Sequence, residues 1–120
     1  FEQIGMGHTV GESLTRKFEF ILNEKVFFTE AFRSDDKNSL KEHDFELIRQ
    51  FYIDQIEGKS HRKISDKLLF QLEMYCQGSV FMTTQWVLGN KNFTPQELAG
   101  LLADAMPKEL ADVFREVNLI

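Results

Sequence analysis

Apolar residues recur three and four positions apart along most of this chain, which is the spacing of one side of an α-helix. Leu14, Phe18 and Ile21 follow this spacing near the start, and Ile48 and Tyr52 follow it in the middle. No run of strand length alternates apolar and polar residues, so the pattern offers no competing β-sheet. The spacing therefore predicts an all-α domain, a helical bundle of about five to six helices.

Three of the predicted helices begin with a recognisable cap. In the segments Thr9 to Glu12, Ser39 to Glu42 and Thr94 to Glu97, a hydroxyl residue precedes a glutamate by three positions. In such a capping box the hydroxyl oxygen accepts a hydrogen bond from the backbone amide of the glutamate, and the carboxylate accepts one from the amide of the cap residue. Pro95 adds a residue favoured at the first helical position. We therefore expect a helix to begin directly after each cap.

The ends of the helices are predicted from asparagine, glycine and proline residues, which often interrupt or end a helix. The first helix is expected over residues 12–22, and its continuation after Asn23 is either the same helix with a bend or a second helix. Gly58 can adopt the left-handed conformation that closes a helix, so it is the predicted end of the second capped helix. The third capped helix is expected over residues 95–105, and Pro107 opens a short last helix.

The stretch from residue 68 to residue 90 is apolar on nearly every side, with Glu73 as its one charged residue. Ser65 can cap its start and Gly89 its end, which predicts about 24 helical residues and a length of roughly 36 Å. Its glutamine, serine and threonine side chains argue against a membrane span. A helix of this kind is instead shared between subunits, and we expect a homodimer with two-fold symmetry.

Composition and charge narrow the class of protein. The 120 residues, 42% apolar and 28% charged, predict one globular domain over residues 1–120. The net charge of -5 would repel a phosphate backbone, so nucleic acid is not the expected ligand of this segment itself. The sequence begins at Phe1 without a signal peptide, which suggests a fragment of a cytoplasmic protein, and the single Cys76 fits a reducing compartment.

Candidate chemistry is sparse in this sequence. The histidines His8, His43 and His61 have no metal-ligand spacing, so neither a metal nor a cofactor is expected. No pair of carboxylates is placed for acid–base catalysis, and we expect a protein that is not an enzyme. His43 is either a boundary histidine or a polar group in a ligand cavity. Cys76 is interpreted first as a small buried apolar residue.

Three motifs in the last third of the chain carry a family resemblance. They are YCQGSVFMTTQW over residues 75–86, FTPQELA over residues 93–99 and AMP over residues 105–107. With the order of the predicted helices, they resemble the C-terminal domain of TetR/AcrR-type transcriptional regulators, and they are similar to the subgroup of dihydroxyacetone kinase regulators. The resemblance implies an effector-binding domain that dimerises through a four-helix bundle, to which each subunit contributes the helices at 65–88 and 95–105. It also implies a DNA-reading helix-turn-helix head before Phe1.

Two sets of site residues follow from the pattern and the resemblance together. The predicted dimer interface contains Phe81, Met82, Gln85, Leu98 and Leu102. The predicted effector-facing residues are His43, Tyr52, Tyr75, Cys76 and Thr83. The expected function is regulatory: an effector bound here would control DNA binding by the N-terminal head. That effector is either an unknown small molecule or, as the alternative, a partner protein docked on an interaction module.

Overall fold

The computed structural model describes residues 9–33 and 40–120, and within them the chain forms six α-helices and no β-strand. The helices are α1 Val10–Asn23, α2 Lys25–Arg33, α3 Leu40–Ser60, α4 Asp66–Val87, α5 Pro95–Asp104 and α6 Lys108–Glu116. The all-α prediction is confirmed, and so is the number of helices. The predicted cap at Ser39 and the residue His8 lie outside the described residues.

The helix starts that the structure describes agree with the predicted caps. Thr9 Oγ1 accepts a hydrogen bond from the Glu12 amide at 3.2 Å, and the Glu12 carboxylate accepts one from the Thr9 amide at 2.9 Å. Thr94 and Glu97 form the same reciprocal pair at 3.1 and 2.9 Å. Ser65 Oγ accepts from the Leu68 amide at 3.2 Å and so caps α4. These contacts satisfy amide groups that have no acceptor within the helix.

The end of α3 differs from the prediction at Gly58. The helix continues to Ser60, and the residue with left-handed backbone is His61, at φ 58°. Side chains in the last turn account for the difference, because Ser60 Oγ donates to the Ile56 carbonyl at 2.6 Å. The Glu57 carboxylate also accepts from the Ile64 amide at 3.0 Å, which fixes the chain beyond the helix.

The first two helices are separate, which settles the choice between a bend and a break. Glu24 lies between them with φ -119° and ψ 40°, and its amide donates to the carbonyls of Phe20 and Ile21, both at 3.2 Å. Helix α2 then begins at Lys25.

Helix α1 packs most extensively against α5, and α3 packs mainly against α4. Leu14 lies near Leu102 and Ile21 lies near Pro95, so α1 and α5 run antiparallel. The ring of Phe18 packs against Trp86 with centroids 5.4 Å apart. The largest fully buried side chains are Phe18, Phe32, Phe114, Leu72, Leu98, Leu110 and Leu119.

Large apolar side chains on α4 and α5 stay exposed. Phe70, Met74 and Phe81 are spaced along α4, and Leu101 lies on α5. We call these four residues the outer face. Among the described residues, no helix is long and apolar enough to cross a membrane.

The C-terminal residues close over the start of α1. The Val10 amide donates to the Leu119 carbonyl at 2.7 Å, and both side chains are completely buried. Asn118 takes a left-handed conformation, at φ 62°, and the short polar side chain of asparagine makes it one of the few residues that tolerates this backbone. The hydrogen bond supplies an acceptor for a first-turn amide, so the two ends of the domain stabilise each other.

We expect Leu119→Ala to lower the free energy of unfolding by about 2–4 kcal/mol, because it leaves a cavity in the core. Ile120→Ala is the matched control, since that side chain is 37% exposed and its loss should cost less than about 1 kcal/mol. Urea unfolding followed by circular dichroism measures both. Equal losses for the two variants would contradict this account of the C-terminus.

Candidate effector site

A small cavity lies in the interior of the helical bundle, where α1, α3 and α4 meet the end of α5. Its volume is about 20 Å³, close to the space that one water molecule needs. The lining residues are Leu14, Lys17, Phe18, Asp44, Ile48, Tyr52, Tyr75, Cys76, Ser79, Val80, Thr83 and Leu102.

Four of the five residues predicted to face an effector line this cavity. Tyr52 comes from α3, and Tyr75, Cys76 and Thr83 come from α4. The fifth, His43, is exposed to solvent and does not line it. The helical period explains the correction: the buried ridge of α3 runs through positions 44, 48, 52 and 56, and a residue one position away points about 100° to the side.

Sequence reasoning missed an ion pair in the wall of the cavity. Lys17 Nζ lies 2.8 and 3.0 Å from the two carboxylate oxygens of Asp44, and the side chains are 22% and 10% exposed. The signal was present in the sequence, because Asp44 precedes Ile48 by four positions and therefore belongs to the buried ridge of α3. A buried charge on such a ridge needs an opposite charge from another helix.

A second ion pair joins α3 to α4 beside the cavity. Arg49 Nε donates to Glu73 Oε2 at 2.7 Å. Glu73 is the one charged residue of the apolar stretch from 68 to 90, and this contact accounts for its position. Both side chains are part-exposed, so the pair contributes orientation more than stability.

The hydroxyl protons around the cavity are used by backbone carbonyls. Ser79 Oγ donates to the Tyr75 carbonyl and Thr83 Oγ1 to the Ser79 carbonyl, both at 2.8 Å. The Tyr75 hydroxyl donates to the carbonyl of Leu102 on α5. Carbonyls in the last turn of a helix have no intrahelical donor. The Tyr75 hydroxyl on α4 supplies the missing donor to the Leu102 carbonyl. With their protons donated in this way, the hydroxyl oxygens of Tyr75, Ser79 and Thr83 can only accept hydrogen bonds from a ligand.

Burial favours the neutral forms of the two tyrosines and the cysteine that line the cavity. Burial raises the pKa of Tyr52 and of Tyr75 well above their usual values. Burial also raises the pKa of the Cys76 thiol to about 12, and a protonated thiol is a poor nucleophile and metal ligand. Among the described residues, no group of three histidine, cysteine or acidic side chains could hold a metal ion.

A larger groove opens on the outside of the bundle between α4 and the end of α5. Its volume is about 300 Å³, and its lining residues are Met74, Tyr75, Gly78, Ser79, Met82, Leu102, Ala105 and Pro107. Tyr75 and Ser79 also line the interior cavity. The side chain of Tyr75 therefore lies between the two spaces, and its hydroxyl crosses to α5.

The five residues predicted for a dimer interface differ in their exposure to solvent. Phe81 is 55% exposed, and Met82 and Gln85 are half-buried. Leu98 and Leu102 are only 1% and 6% exposed, because this side of α5 faces the subunit's own core. They offer almost no side-chain surface to a partner. The outward leucine of α5 is Leu101, which is 50% exposed.

A family model of the TetR type, described as transcriptional regulator C-terminal region, matches residues 9–108. The chain belongs to this family. Comparisons with curated proteins and with solved structures found no match. Such TetR-type domains are parts of transcription regulators, usually form homodimers and bind effectors, and are generally not enzymes. The more specific likeness to dihydroxyacetone kinase regulators stays a prediction.

In this TetR-type domain, Asp44→Asn should lower the free energy of unfolding by about 2–4 kcal/mol, because it removes the negative charge that the part-buried Lys17 ammonium contacts. Glu109→Gln is the matched control. It breaks the pair between Lys67 and Glu109, whose side chains are both more than half exposed, and should cost less than about 1 kcal/mol. Thermal or urea unfolding compares them, and similar effects would show that the Lys17–Asp44 pair behaves as a surface pair.

The Cys76 thiol should be nearly inert in the folded TetR-type domain. With a pKa of about 12, roughly one thiol in ten thousand is ionised at pH 8, and only the thiolate attacks a disulfide reagent. The unfolded thiol ionises near pH 8.5, so this group also lowers stability as the pH rises past that value. Labelling with a chromogenic disulfide, with and without urea, tests the expectation. Equally fast labelling in both conditions would contradict it.

Proposed function

We propose that this domain is the dimerising, effector-binding half of a transcription regulator, with DNA binding carried out by a separate N-terminal head. Its family is the C-terminal region of transcriptional regulators. The net charge of -5 agrees with a role that does not include holding DNA. The cytoplasm is the compartment in which such a regulator would meet its operator.

The observation that carries the proposal is the outer face. Phe70, Met74, Phe81 and Leu101 expose large apolar side chains on α4 and α5, two helices that border the same groove, and an exposed apolar patch is typical of an interface. A second copy related by a two-fold axis would place its own α4 and α5 against them and form a four-helix bundle. The groove between α4 and α5 would then receive side chains of the partner.

The proposed interface keeps Phe81, Met82 and Gln85 from the sequence-based set. Leu101 takes the place of Leu98 and Leu102, which are committed to the core. All four proposed residues lie on α4 or α5.

The interior cavity is the proposed effector site, with Tyr52, Tyr75, Cys76 and Thr83 as the residues closest to the ligand. An effector controls DNA binding only if it binds one arrangement of the two subunits more tightly than the other. Tyr75 borders both the cavity and the groove, and Met74 of the outer face lines the same groove. Occupancy of the cavity can therefore alter the surface on which the subunits meet.

We expect the wild-type domain to be a dimer at micromolar concentration and Leu101→Glu to be a monomer, because two charges would be buried without partners in the interface. Leu47→Glu on α3 is a closely matched control, since Leu47 has the same 50% exposure, and it should stay dimeric. Phe81→Glu should behave as Leu101→Glu does.

Sedimentation velocity over a range of concentrations measures the oligomeric state of all four proteins. A wild-type monomer, or equal effects of Leu47→Glu and Leu101→Glu, would remove the proposed interface. Circular dichroism establishes that each variant is folded before its oligomeric state is interpreted.

A second candidate, in which the effector is a partner protein, is favoured by exposed apolar residues on other helices. Phe20, Val26 and Phe27 on α1 and α2 are all more than half exposed, and none belongs to the outer face. Native mass spectrometry of the purified domain separates the candidates. A dimer that carries a bound compound supports a small-molecule effector, and an empty dimer favours a protein partner.

A further inference from the structure

The side chain of Tyr75 is the largest of the three, with Ser79 and Leu102, that line both the interior cavity and the groove outside it. On one side of it is the interior cavity of about 20 Å³, and on the other is the groove of about 300 Å³. Gly78 and Ala105, which line the groove, have little or no side chain to obstruct it. Met74 and Met82, which also line it, are flexible and adapt to a changed neighbour.

One named contact holds this ring in place. The Tyr75 hydroxyl donates to the carbonyl of Leu102, in the last turn of α5. If the ring turned into the groove, this buried carbonyl would lose its side-chain donor, which carries a free-energy cost. A ligand that fills the vacated position and donates a hydrogen bond to the same carbonyl would offset that cost.

The groups around the vacated position define the chemistry of such a ligand. Ser79 and Thr83 already donate their protons to backbone carbonyls, so they present acceptors to a ligand. Lys17 and Asp44 neutralise each other. Of the remaining lining residues, Leu14, Phe18, Ile48, Val80 and Leu102 are apolar, and Tyr52 and Cys76 are uncharged polar or polarisable groups. These surroundings favour an uncharged molecule of about one ring in size, with an apolar body and at least one hydrogen-bond donor.

We propose that Tyr75 is a displaceable wall of the effector site: a neutral, single-ring ligand with a hydrogen-bond donor takes the position of its ring, and the ring turns into the groove between α4 and α5. This inference rests on the proposed function, because it assigns the effector class to the same cavity. The same movement couples the cavity to the proposed dimer interface, because a ring that enters the groove occupies space proposed for the partner subunit.

Phenol and toluene are the probes, because they share one ring and differ in the hydroxyl donor. Binding is followed by NMR from the methyl groups of Leu14 and Val80, which line the cavity, with the exposed Leu47 as an internal reference. In the wild-type domain, phenol should shift the cavity methyl signals and toluene should bind more weakly, by roughly two- to tenfold for one hydrogen bond. Benzoate, which carries a charge, should not bind there.

Tyr75→Phe tests the moving wall while it preserves the ring. The variant loses the bond that holds the ring against α5 and frees the Leu102 carbonyl, so phenol should bind roughly two- to tenfold more tightly than to the wild type. Thr84→Val is the matched control. It removes a buried α4 hydroxyl that donates to the Val80 carbonyl at 2.8 Å but does not line the cavity, and it should leave phenol affinity unchanged.

Phenol affinity that is the same in Tyr75→Phe, Thr84→Val and the wild type would overturn the proposal. Phenol that shifts no cavity methyl signal up to its solubility limit would overturn it as well. The titration repeated on Leu101→Glu separates this inference from the proposed function. Phenol binding to this variant tests the displaceable Tyr75 ring in the absence of a partner, whereas the oligomeric state of the variant tests the dimer interface.

Discussion

Helix α4 carries more apolar surface than the other described helices of the subunit cover. Its inner side packs against α3, α2 and α6 and contributes the buried residues Leu72, Cys76 and Val80. Its other side leaves Phe70, Met74 and Phe81 in water. Burial of one side chain of this size stabilises by roughly 1.5–3 kcal/mol. Several of them on each copy supply a free energy comparable to the about 4–15 kcal/mol that association costs, which is why this constraint favours a dimer.

The features that sequence could predict are those decided by a few neighbouring residues. The capping boxes at Thr9 and Thr94 form because hydroxyl and carboxylate reach amides within one turn. The end of α3 escaped prediction because Gly58 only permits a left-handed turn. The helix instead continues to Ser60, whose hydroxyl donates to the Ile56 carbonyl, and the Glu57 carboxylate accepts from the Ile64 amide beyond the helix.

The features that sequence could not predict depend on which helix covers which side. The pattern of α5 shows an apolar side but not its neighbour, so Leu98 and Leu102 were assigned to a partner subunit although α1 covers this side within the subunit. The same reason hid the partner of Asp44. The spacing places Asp44 on the buried ridge of α3, but it does not show that Lys17 of α1 lies within 2.8 Å of its carboxylate.

The small volume of the interior cavity restricts how an effector could act through it. A ligand that fitted into about 20 Å³ without moving any side chain would leave the outer face as it is, and so could not shift the balance between two dimer arrangements. An effector of ordinary size needs a larger space, and the cost of opening that space lowers its apparent affinity. That same cost is what makes binding selective for the open state. A sensor that uses this cavity therefore needs a lining side chain that can move when the effector binds. The Tyr75 ring meets this need, because the open groove lies on its other side, toward the proposed partner subunit.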